Sequence, residues 1–84
     1  MDIDSVQACI GHESAGLRAR YPHITHCGTL LVQWDDVGKK CYSLHLDIRW
    51  PQHQTLLNGE SRDDPQAAIA AGFASACARV KQGN

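Results

Sequence analysis

Between Cys41 and Trp50 the chain alternates strictly. Tyr42, Leu44, Leu46, Ile48 and Trp50 take every second position, and Cys41, Ser43, His45, Asp47 and Arg49 fill the places between. A period of two puts the first set on one face of a strand and the second set on the other. The pattern therefore predicts a long strand with a buried apolar face and an exposed polar one. Such a strand needs partners along its edges and a cover for its apolar face, and the flanking sequence is constrained to supply both.

Partners are present on each side. Ile24 to Trp34 contains Thr25, Thr29, Leu30, Leu31 and Val32, the β-branched and large apolar types that suit a pleated surface. The polar stretch Asp35 to Lys40, with Gly38 inside it, is suited to a hairpin connection. Pro51-Gln52 predicts a tight turn, and His53 to Asn58 a third, shorter strand with His53 opposite Trp50 rather than His45. Strands joined this closely form an antiparallel meander.

The cover comes from two helical segments. Asp4 and Ser5 are positioned to cap a helix starting near Val6, with Val6, Ile10, Leu17 and Tyr21 on one face and Pro22 ending it. Gly11 and Gly16 inside it each cost about 0.5–1 kcal/mol relative to Ala, so this helix depends on tertiary packing. After a loop from Gly59 to Asp64, Asp64 is a good N-cap and Pro65 suits the first turn. Ile69, Phe73, Cys77 and Val80 then form an apolar stripe on an alanine-rich helix ending near Lys81, with Gly83 just past it. Phe73 and Leu46 are both expected to lie in the core between the second helix and the sheet. The fold class is α+β: two helices packed on one face of a three-stranded antiparallel sheet, in the order α-β-β-β-α, as a single domain over residues 1–84. There is no internal repeat, linker or low-complexity segment.

The chemistry-bearing residues point away from catalysis. His23, His26 and Cys27 are potential metal ligands, but in an extended segment His23 and His26 face opposite ways, as do His26 and Cys27. Cys9, Cys27, Cys41 and Cys77 make no Cys-x-x-Cys pair and read as reduced, small apolar residues. No nucleophile elbow, oxyanion loop or carboxylate pair is present. No metal, cofactor or small-molecule substrate is expected, and the protein reads as a non-enzyme. No run approaches the roughly 18 apolar residues of a membrane span. The acidic start, Met1-Asp2-Ile3-Asp4, is unlike a signal peptide, so the expected location is cytoplasmic.

Four stretches in order resemble the ribosome hibernation-promoting factor and ribosome-associated inhibitor family. They are Leu17-Arg18-Ala19-Arg20-Tyr21-Pro22-His23-Ile24-Thr25-His26-Cys27, Tyr42 to Pro51, Thr55-Leu56-Leu57-Asn58, and Asp64 to Phe73. The likeness runs from about Val6 to Gln82. It implies a β-α-β-β-β-α fold without catalytic residues or cofactor, binding to the small ribosomal subunit and its rRNA, and silencing of translation under stress.

Two departures shape the expectations. Too few residues precede the first helix for the family's opening strand. In addition, net charge is −1, whereas nucleic-acid domains usually carry a basic excess. The candidate RNA-binding residues are Arg18, Arg20, Lys39, Lys40, Arg79 and Lys81. The alternative is a protein-interaction or dimerisation module on the same fold that has lost RNA binding. The resemblance implies that the absent strand would pair beside Ile24 to Trp34. Without it that strand is an edge with no Lys, Arg, Asp or Glu, and its open N–H and C=O groups invite a second chain. Gly28 is the one place for a protective bulge. The expected outcome is a homodimer through Ile24, His26, Gly28, Leu30, Val32 and Trp34.

Overall fold

A computed structural model describes residues 2–82. It contains two helices and a three-stranded antiparallel sheet in the order α1 (Ile3–Arg20), β1 (His26–Asp36), β2 (Lys39–Trp50), β3 (His53–Asn58) and α2 (Pro65–Gln82). The sheet order is β1-β2-β3, with β2 central. Tyr42, Leu44, Leu46, Ile48 and Trp50 are all buried, so the alternation reports the buried face of β2 correctly. Leu44, Leu46, Ile48 and Trp50 form one core with Val6, Leu17, Ile24, Ile69, Phe73, Ala76 and Val80. Helix α2 lies directly on β2 and β3, while α1 packs chiefly beside α2.

Both helix starts are set by aspartates. Asp64 Oδ2 accepts from the Ala67 amide at 2.8 Å, as its position before Pro65 requires. At α1 the cap is Asp2, not Asp4 or Ser5. Its carboxylate accepts from the Asp4 amide at 3.1 Å and from Ser5 Oγ at 2.8 Å. Asp2, Asp4 and Ser5 are all competent caps, and the earliest one wins because it adds a hydrogen-bonded turn ahead of Val6. Gly83 lies outside the described residues.

Strand β1 begins and ends two residues later than its composition indicates. Ile24 is spent on the exit from α1: its amide donates to the Tyr21 carbonyl at 3.1 Å, and its side chain is buried. At the far end the connection to β2 is only Val37-Gly38. Asp35 pairs with Lys40 and Asp36 with Lys39, so residues that look like loop are strand. Opposite charges directly across an antiparallel pair favour that extension. Register runs unbroken from His26↔Arg49 to Asp36↔Lys39, so Gly28 marks no bulge.

Ser43, expected on the exposed face, is only 6% accessible. Cys41, His45 and Asp47 are half-buried, and of this set only Arg49 is exposed. The cause is the central position of β2, where small polar side chains are walled in by both neighbours. The expected loop after β3 contributes to this. Gly59 donates to the Leu44 carbonyl at 2.8 Å, and Arg62 exchanges two 2.8 Å backbone bonds with Tyr42, so the segment runs on beside β2.

A close approach fixes α2 on the sheet. A Cβ at Gly72 would lie 2.8 Å from Leu44 Cβ, and one at Gly59 would lie 2.9 Å from Gly72 Cα and from the Leu44 carbonyl oxygen. Helix, central strand and post-β3 segment meet at backbone distance here, which only glycine permits.

Candidate nucleic-acid interface

The six candidate basic residues divide into two groups. The groove between the helices is lined by His12, Glu13 and Arg20 of α1 and by Ala70, Ala74 and Cys77 of α2. Arg20 Nη1 lies 3.9 Å from Cys77 Sγ. The two helices therefore run side by side in the same direction, and both end where β2 ends. Arg18 and Arg20 occupy the last turn of α1, and Arg79 and Lys81 the last turn of α2. All four are exposed, and among the described residues none makes an ion pair within 4 Å. Cations at helix C-termini also complement the helix dipoles, which is reason enough for them to be tolerated there.

Lys39 and Lys40 start β2 at the opposite end. The strand from Lys39 to Trp50 is twelve residues long, a span of about 36 Å at the usual rise. They do not extend the helix-end cluster, and each faces an aspartate across the hairpin.

Beside the helix-end cations lies a run of rings that composition alone does not announce. Tyr21 and His23 meet edge-on at 6.2 Å, His23 and Trp50 edge-on at 6.3 Å, and His53 stacks on Trp50 at 5.4 Å with 28° between planes. Placing Trp50 opposite His53 across Pro51-Gln52 brings the last pair together, which is the one signal of the cluster available beforehand. Trp50, His53, Gln54, Thr55, Arg79 and Gln82 line a depression of about 390 Å³. Trp50 Nε1 and His23 Nε2 are buried with no hydrogen-bond partner among the described residues.

The sheet face away from the helices carries a polar hub. Asp47 Oδ2 accepts from Arg49 Nη2 at 3.0 Å and Asp47 Oδ1 from Gln54 Nε2 at 3.1 Å, with His26 Nε2 at 3.9 Å from Oδ2. The Gln54 and Arg49 hydrogen bonds hold the Asp47 carboxyl below its ordinary range. His26 reaches the hub by lying across Gly28, where a Cβ would be 2.9 Å from its Nε2. On the same face Leu30 is 64%, Trp34 40% and Leu56 73% exposed.

Of the other candidates, His26 and Cys27 point to opposite faces, and burial pushes the Cys27 thiol up. Cys9, Cys41 and Cys77 are half-buried free thiols. No three His, Cys, Asp or Glu side chains converge among the described residues. None of their helices is long and apolar enough to cross a membrane. No family model, curated protein or solved structure matches the chain.

Proposed function

We propose that this chain is a cytoplasmic, non-enzymatic module that associates with the small ribosomal subunit through rRNA and restrains translation under stress. Two things support the reading. One is the likeness of its four sequence stretches to the hibernation-promoting family, whose element order minus the first strand is the order found here. The other, which carries most of the weight, is that four exposed cations with no ion-pair partner among the described residues, Arg18, Arg20, Arg79 and Lys81, share one end of the molecule with exposed His53 stacked on Trp50. Cations that neutralise phosphates, beside a ring on which a base can stack, are the elements of single-stranded RNA contact. The net charge of −1 keeps that contact weak.

A second reading, a protein-interaction module without RNA binding, is favoured by the apolar side chains Leu30, Trp34 and Leu56 on the open sheet face. Co-sedimentation with ribosomes at low and moderate salt separates the two. Pelleting at low salt that is lost when the four cations become Gln supports the first reading. No pelleting by the wild-type protein supports the second.

A further inference from the structure

We propose that the open edge of β1 is completed by β1 of a second copy of this chain, antiparallel about a two-fold axis through Leu31, giving a continuous six-stranded sheet. This inference is independent of ribosome binding and rests on the register of the β1–β2 hairpin.

The two-residue turn makes Asp36 and Lys39 a hydrogen-bonded pair, and such pairs alternate along an antiparallel ladder. The even-numbered residues of β1 therefore spend their backbone groups on β2. Cys27, Thr29, Leu31, Gln33 and Asp35 direct theirs to the open edge, where the described residues offer no strand to receive them. A two-fold axis perpendicular to the sheet keeps both helix layers on one side and permits only registers that pair odd residues with odd. The register centred on Leu31 is the one that uses all five: Cys27 opposite Asp35, Thr29 opposite Gln33, and Leu31 opposite itself. Shifts centred on Thr29 or Gln33 leave outward groups unpaired.

The open face supports the same register independently. It sets His26 opposite the partner copy's Asp36, Gly28 opposite its Trp34, and Leu30 opposite its Val32. The end row runs from Arg49 through His26 to the partner copy's Asp36 and Lys39, which sets the Asp36 carboxylate between an imidazole and an ammonium group. A tryptophan stands over the one position without a side chain, against the His26 ring. The exposed flanks of Leu30 and Trp34 gain apolar neighbours. One step away the apolar residues still find partners but the ends do not: centring on Leu30 puts His26 opposite Trp34 and Asp36 beyond the start of the partner strand, and centring on Val32 puts Leu30 opposite Trp34 but Asp36 opposite Gly28. Ile24, being buried ahead of the strand, takes no part.

The test is the concentration dependence of mass, by light scattering and sedimentation, on three proteins. The wild-type chain is expected to dimerise with a dissociation constant on the order of micromolar, as befits a small interface. Leu30→Lys changes an exposed side chain that faces away from the helices and is expected to weaken the dimer roughly tenfold or more. Gln33→Pro removes an N–H that only the second copy uses, and edge strands tolerate Pro there, so it is expected to give a folded monomer. Circular dichroism of both variants verifies folding. A monomeric wild-type chain at millimolar concentration overturns the proposal, because another segment then occupies the edge. A dimer that survives in folded Gln33→Pro also overturns it, because the interface then lies elsewhere.

Discussion

Val37 sits in the β1–β2 turn at φ 51, followed by Gly38 at φ 77. Both angles are those of a type I′ turn, which suits the twist of the strands but asks the first residue to be left-handed. A β-branched side chain there costs about 1–2 kcal/mol, and Val37, 97% exposed, gains no burial in return. Val37→Asn should therefore stabilise the fold by about 1 kcal/mol and raise the thermal midpoint by roughly 4–8 °C, which a melting curve checks directly. Asp47 makes the opposite kind of contribution. Its carboxyl is held low by Gln54 and Arg49, so the folded state prefers the ionised form more than the unfolded chain does. That stability is fully present above the ordinary aspartate range near 3.9 and is lost as pH falls through the lower folded value. Melting temperatures from pH 7 to pH 3 should show a shallower acid limb in Asp47→Asn than in the wild-type chain. An unchanged limb would mean that the hub does not contribute in solution.

At the scale of elements, two glycines in helices have opposite meanings. A Cβ at Gly11 of α1 would meet nothing within 4 Å, whereas one at Gly72 of α2 would run into Leu44. Gly11→Ala should stabilise by about 0.5–1 kcal/mol, and Gly72→Ala should destabilise by about 1–3 kcal/mol. Chemical denaturation of the two variants measures both. Nothing local distinguishes these residues. The difference arises only when α2 is laid on β2, which explains why the sequence shows the elements and not their contacts. The alternation in β2, the turn at Pro51-Gln52, the span of β3 and the Asp64-Pro65 helix start are local signals and were fully legible. The boundaries of α1 and β1 were not, because competing caps and a pair of Asp–Lys matches across the hairpin are settled by whole-element pairing. The burial of Ser43 was hidden for the same reason: it follows from β2 being central, not from the residue.

For the whole molecule, the sequence lists the cations but not their arrangement. The parallel course of α1 and α2 gathers Arg18, Arg20, Arg79 and Lys81 at one end, and the length of β2 sends Lys39 and Lys40 to the other. The run of rings from Tyr21 to His53 was similarly out of reach, since it joins three separate segments. The central functional claim is that the helix-end cations contact RNA. It is tested most directly by the affinity for purified small ribosomal subunits as a function of salt, for the wild-type chain and for the variant with those four residues changed to Gln. If all four meet phosphates, wild-type affinity should fall roughly 50- to 150-fold between 50 and 200 mM salt, and the variant should bind feebly with little salt dependence. Equal affinity and equal slope in the two folded proteins would contradict the claim.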